Sequence, residues 1–173
     1  MQSSDVGEMA ASFERLGWSG KGLSQFERYL REHEAGTRMV FIARTNGAFA
    51  GYVTVLWCSV YPPFSEAGIP EISDLNVPPS LRRRGVGSRL MDEAERLIAE
   101  RSPVAGVGVG LHEDYGAAQR LYVQRGYVPD GRGITSRGNR IAFGERVTVD
   151  DDLILWFTKM LPSVNQNTSV GQS

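Results

Sequence analysis

The stretch Leu75-Asn76-Val77-Pro78-Pro79-Ser80-Leu81-Arg82-Arg83-Arg84-Gly85-Val86-Gly87-Ser88 decides how this chain is read. The apolar-rich run entering it, Ile69 to Val77, reads as a strand, and Pro78-Pro79 stops that strand because proline cannot donate to a ladder. Beyond Arg82-x-x-Gly85-x-Gly87, residues Val86, Leu90, Ala94, Leu97 and Ile98 recur at helical spacing, with Arg89, Glu93, Arg96 and Glu100 between them. A helix that opens at a glycine-rich loop offers unpaired backbone N–H groups and the positive end of its dipole. Glycine lets an anion approach that backbone closely, and three arginines add positive charge. Strand, loop and helix therefore predict a phosphate cradle over Arg82–Ser88. It is not the ATP-type loop, whose lysine is missing, nor the dinucleotide fingerprint, which needs a third glycine. A surface turn carrying solvated arginines is the plain alternative.

A second pattern follows one strand later: Tyr115-Gly116-Ala117-Ala118-Gln119-Arg120-Leu121-Tyr122-Val123-Gln124-Arg125-Gly126-Tyr127. With both patterns in hand, the chain resembles the GNAT superfamily of acyl-CoA-dependent N-acyltransferases from about Val40 to Leu161. That family carries Arg/Gln-x-x-Gly-x-Gly/Ala at the coenzyme pyrophosphate, matched by Arg82, Gly85 and Gly87. Its next helix carries Asn-x-x-Ala-x-x-Leu/Phe-Tyr-x-x-x-Gly-Phe/Tyr, matched by Ala118, Leu121, Tyr122, Gly126 and Tyr127. Tyr115 stands where the family usually has asparagine, a departure that removes the usual side-chain hydrogen bond there.

The resemblance implies an α/β (α+β) fold: a GNAT-like mixed central sheet with a splayed parallel strand pair, flanked by helices. In the family the pantetheine arm of the coenzyme fills the splay as a pseudo-strand, and Pro78-Pro79 would help enforce the divergence here. Family members begin with a strand, whereas Met1 to Met9 is short and polar, so the first family strand is expected to be missing. The implied cosubstrate is acetyl-CoA, with no metal. The implied coenzyme-binding residues are Leu75, Asn76, Val77, Arg82, Arg83, Arg84, Gly85, Val86, Gly87, Ser88, Tyr115 and Ala118.

Composition sets the bounds. A chain of 173 residues is read as one domain over 1–161 followed by a disordered tail over 162–173. A charged fraction of 23% and a net charge of −1 give no global field toward nucleic acid or membrane. The single cysteine, Cys58, excludes an internal disulfide, and with no signal peptide or membrane-length apolar run the expectation is cytoplasmic. Cys58 reads as a small core hydrophobe rather than a nucleophile. The glycan pattern Asn167-Thr168-Ser169 matters only in a secreted chain.

Elsewhere, residues 5–16 and 22–34 read as amphipathic helices, the second with Leu23, Phe26, Tyr29 and Leu30 on one face. In the family such helices wall the acceptor cleft; Trp18 between them reads first as core packing. Arg38–Arg44 and Ala48–Val60 are apolar runs joined by Asn46-Gly47, a hairpin signal. Tyr61 to Gly68 reads as a loop that could serve as a lid. Val104 to Leu111 reads as a strand whose Gly106, Gly108 and Gly110 leave one face bare for a ligand or for close packing. Residues 131–147 are an excursion of unassigned form, and Leu153–Met160 is a last strand.

Acyl transfer from a thioester to an amine needs a neutral amine, a home for the oxyanion and relief for the departing thiolate. Family members transfer directly, and His33, His112 and Cys58 are isolated in sequence, so no nucleophilic pair is evident. The resemblance assigns Tyr122 to the coenzyme sulfur. A thiol with pKa near 8.5 and a phenol near 10 make full proton transfer uphill by about 2 kcal/mol, so a hydrogen-bond donor is expected. Glu71, fourteen residues before Gly85, matches the catalytic glutamate of family members acting on histone tails. Asp74 is its competitor, placed by strand alternation on the opposite face unless a bulge intervenes, and water chains are a further option. The oxyanion would meet a backbone N–H near Asn76. The expected acceptor is a small-molecule or peptide amine, with no nucleic acid or membrane partner and a homodimer left open. The competing function is a non-catalytic acyl-CoA-binding sensor module.

Overall fold

The computed structural model describes residues 1–18 and 20–162. The proposed tail beyond Pro162 and the Asn167 glycan pattern lie outside the described residues. The fold is mixed α/β, helices flanking a central mixed sheet. The chain divides into two compact units: residues 1–57 with 72–94, and 58–71 with 95 onward.

In the first unit, α1 (Ser3–Glu14) and α2 (Leu23–Glu34) precede β1 (Arg38–Thr45) and β2 (Ala48–Leu56), and the strand order is β1-β2-β3, with β3 spanning Glu71–Asn76 and all of it but Glu71 in this unit. No strand precedes α1 among the described residues. β1 and β2 pair antiparallel across Asn46-Gly47, with Thr45 opposite Ala48. Positive φ at both turn residues, 50° and 79°, is the type I′ signature that matches strand twist. β2 stops at Leu56, short of the predicted Val60, and leaves Cys58 exposed rather than in the core. Phe13 centres the core of this unit, its ring 5.4 to 5.8 Å from Trp18, Phe26, Phe49 and Tyr52. Trp18 thus packs. Phe26 and Tyr29 are buried, but Leu23, predicted to share their face, is 52% exposed because it opens the helix.

In the second unit the strand order is β4 (Val104–Gly110), β7 (Leu153–Met160), β5 (Val128–Ser136) and β6 (Asn139–Arg140). The stretch Tyr61 to Gly68, read as a loop, instead holds the short helix α3 (Pro62–Ala67). Prolines at its first positions lose no needed donor, and left-handed Gly68 ends it. Tyr61 stacks on Trp156 at 4.2 Å and Phe64 meets both edge-on, so these aromatics are core. The unassigned 131–147 excursion resolves in part into strand. β5 is irregular between Pro129 and Ile134, and Arg137-Gly138 turns it into β6.

Candidate active site

In the first unit, β3 ends at Asn76, Pro79–Leu81 make a single 3-10 turn, and α4 opens at Val86; the helix runs to Ala99, its residues from Glu95 on counting with the second unit. Arg83 and Gly85 both adopt positive φ, 59° and 80°, which swings the chain into the helix. The N–H of Arg89 reaches the Gly85 carbonyl at 3.0 Å and closes the first turn. N–H groups preceding that bond, such as those of Val86 and Gly87, have no acceptor within an α-helix and carry its positive dipole end. Arg82, Arg83 and Arg84 are exposed around them, and Arg82 Nε donates to the Val77 carbonyl at 3.1 Å. A fourteen-residue helix opening at a left-handed glycine among exposed guanidiniums fits a diphosphate group.

The same unit holds the carboxylate of Asp74. Its φ of 55° breaks the strand's alternation, the irregularity that the sequence argument left open. Lys21, Asn76, Gln25, Tyr29 and Tyr52 all donate to it. Burial pushes its pKa up, but the Lys21 ammonium and the tyrosine hydroxyls outweigh burial and hold it below the usual carboxylate range. The Tyr29 phenol is pushed up to about 12 by burial and by Asp74, and Tyr52 is pushed higher still for the same reasons. Gly51, at φ 151°, lets β2 press on β3: a Cβ there would lie 2.6 Å from the Asn76 carbonyl oxygen.

In the second unit, Glu71 is 5% exposed and accepts a hydrogen bond from Ser59 Oγ at 2.5 Å, while Ser59 Oγ accepts from the Tyr61 N–H at 3.0 Å. Tyr122 lies on α5 (Gly116–Gln124), 5% exposed, its ring 5.9 Å from that of Tyr127. Ala118 is on the same helix, half-buried. Tyr115 sits just before α5, caps none of its amides, and donates its hydroxyl to Asp151 at 2.8 Å. Its ring covers Gly110, where a Cβ would fall 2.6 Å from it. The bare glycine face of β4 is thus filled by rings: Phe64 over Gly106, Trp156 over Gly108, Tyr115 over Gly110. Sequence left that face open to a ligand or to close packing; aromatic packing takes it.

The structure therefore gathers Leu75, Asn76, Val77 and residues 82–88 in the first unit, and Glu71, Tyr115, Ala118 and Tyr122 in the second. The donors around Asp74 were not singled out from sequence as a set. They come from four separate segments: Tyr29 was read on the apolar face of α2 and Asn76 at the coenzyme, but no spacing in the sequence joins them. No set of three or more His, Cys, Asp or Glu side chains that could hold a metal occurs among the described residues. No helix among them is long and apolar enough to cross a membrane.

The acetyltransferase (GNAT) family model matches residues 5–127, and the chain belongs to that family. By sequence, no curated protein matches it. Among solved structures it is similar to an N-acetyltransferase from Staphylococcus aureus Mu50, with TM-score 0.68, 15% identity, and 94% and 96% of the two chains covered. It is also similar to a GNAT-family acetyltransferase from Streptococcus pneumoniae, with TM-score 0.65, 18% identity, and 94% and 96% covered. A third is an aminoglycoside 6'-N-acetyltransferase complexed with coenzyme A, with TM-score 0.63, 16% identity, and 92% of each chain covered. Acetyl-CoA-dependent acyl transfer is thus the general class of activity.

Proposed function

We propose that this chain is an N-acetyltransferase that moves an acetyl group from acetyl-CoA directly to a primary amine of a small molecule or peptide, in a cytoplasmic setting. The observation that carries the reading is the left-handed turn at Gly85, which opens α4 with its first amides among three exposed arginines. In this reading the amides from Arg84 to Ser88 hold the diphosphate, with Arg82 and Arg83 adding charge around it. Leu75, Asn76 and Val77 line the coenzyme arm, and an N–H near Asn76 receives the oxyanion. Tyr115 and Ala118 flank the coenzyme at the start of α5. Acetyl-CoA supplies the activated acyl group.

Tyr122 donates a hydrogen bond to the departing thiolate, the proton following late, and Glu71 takes the proton from the amine. Asp74 is the weaker base, because a carboxylate held below its usual pKa has less tendency to take a proton at neutral pH.

Thermal shift with acetyl-CoA against desulfo and longer-acyl analogues tests the binding, since a ligand that binds only the folded state raises the melting temperature. Thiol release across a panel of amines tests the chemistry. Binding without thiol release from any amine would leave a sensor module. Tyr122→Phe should lower turnover at least about tenfold, roughly 1.4 kcal/mol, with acetyl-CoA affinity near wild type. Equal loss of both would make Tyr122 a packing residue.

A further inference from the structure

Asp74 accepts from five donors, and one of them stands apart from the other four. Its Oδ1 accepts from Lys21 and from the Asn76 amide at 2.7 Å. Its Oδ2 accepts from the Gln25 amide at 3.0 Å and from the hydroxyls of Tyr29 at 2.8 Å and Tyr52 at 2.5 Å. Four of these donors stand on α2, β2 and β3. Phe26, whose ring packs against both tyrosines, fixes two of them. Lys21 alone comes from the irregular link between α1 and α2, its side chain 22% exposed against 14% for Asp74. A carboxylate this enclosed keeps four neutral donors but no counter-charge once Lys21 is removed, which leaves a demand for another cation.

We infer that Asp74, Tyr29, Tyr52, Gln25 and Asn76 form a receptor for a primary alkylammonium, that Lys21 is its tethered occupant, and that an ammonium of the acceptor displaces Lys21. The inference rests on the acetyltransferase reading only for the word acceptor; the receptor itself does not need it. An ammonium bound to a carboxylate is stabilised in its charged form and is a poor nucleophile. The anchored nitrogen is therefore not the one acetylated. The acceptor class is a small molecule with at least two amino groups, one anchored at Asp74 and a second, neutral one that attacks.

The test titrates n-butylammonium, the lysine side chain freed from its backbone, into Lys21→Ala and wild type, with n-butanol and tetramethylammonium as controls. A tethered competitor weakens the apparent affinity by one over the fraction of receptor it leaves open, so a Lys21 that occupies Asp74 about nine-tenths of the time or more makes wild type bind at least about tenfold more weakly than Lys21→Ala. Saturable binding and a thermal upshift in Lys21→Ala, lost in Lys21→Ala with Asp74→Asn and absent with both controls, support the receptor. Equal affinity in wild type and Lys21→Ala, or butanol binding as well as butylammonium, overturns it. Should Lys21→Ala not fold, Lys21→Met keeps the aliphatic stem, and the same titration decides.

Acetyl-CoA thermal shift on the same samples separates the two claims. Loss of coenzyme binding with ammonium binding intact sinks the acetyltransferase reading alone, and the reverse sinks the receptor alone. In turnover, 1,5-diaminopentane should show a KM at least about tenfold below n-pentylamine. Equal KM values overturn the two-amine requirement.

Discussion

Two glycine-rich segments use the same residue for opposite reasons. At Gly85, before α4, φ is 80° and an added Cβ would meet nothing within 4 Å. At Gly106, in β4, the backbone is ordinary strand, but a Cβ would fall 2.2 Å from the Phe64 ring. The first glycine is required for backbone freedom, the second for missing volume. An L side chain pays for the first in local strain and for the second in displaced core.

The largest expected effect comes from the strand. Gly106→Val should destabilise by about 3 kcal/mol, because Phe64 is 1% exposed and cannot retreat. Urea unfolding measures this directly, while acetyl-CoA affinity of the folded fraction should hold. A loss under about 0.5 kcal/mol would mean that the ring does not need that space.

Gly85→Ala should cost less stability, roughly 1–2 kcal/mol of left-handed strain, yet weaken acetyl-CoA binding about tenfold by rotating the amides of the cradle. Gly85→Asn, which tolerates that conformation better, should recover part of both. If Gly106→Val weakened coenzyme binding more than Gly85→Ala, the division of roles between the two segments would be reversed.

The pair also marks what could be read without coordinates. The Arg82-x-x-Gly85-x-Gly87 turn was legible because its purpose is local: a strand stop, a left-handed residue and a helix period all fall within the one stretch from Leu75 to Ile98. The glycine face of β4 was legible only as a bare face. What covers it, Phe64, Trp156 and Tyr115, lies far away in sequence and is joined to it by pairing and packing alone. The same limit hid α3, because prolines read as loop residues also suit a first helical turn. It hid the second half of β5, whose Gly131 and Gly133 blur the period. Asp74 was visible as an acid, but its donors come from α2, β2, β3 and a link, which no spacing rule connects.

A smaller effect, one that acid removes, comes from Glu95 in the second unit, which binds Arg125 through Nε at 2.9 Å and Lys159 at 2.7 Å. Burial raises the Glu95 pKa, but the two cations outweigh it and hold the group below its ordinary 4.5. The folded state therefore holds this proton less tightly than the unfolded chain. Stability from the pairing is complete above the ordinary value and drains away as pH falls through the folded one. Glu95→Gln should lower stability at neutral pH and flatten its decline below about pH 4.5. A parallel decline in both proteins would remove Glu95 from the acid response.

The smallest effect separates charge from amide at the cradle itself. Arg82 and Arg84 are exposed, and solvated guanidiniums contribute at most about 1 kcal/mol each to a bound anion. That contribution is screened, since the Debye length is about 8 Å at physiological ionic strength and about 3 Å at 1 M. Arg82→Ala and Arg84→Ala should therefore each raise the acetyl-CoA Kd severalfold in dilute buffer and converge on wild type as salt is added. Arg82→Ala should retain the larger residue of the effect, because its Nε also ties the Val77 carbonyl at the end of the strand. The Gly85→Ala loss, being geometric, should persist at every salt concentration. Unchanged affinity of both arginine variants in dilute buffer would leave the amides alone to hold the anion.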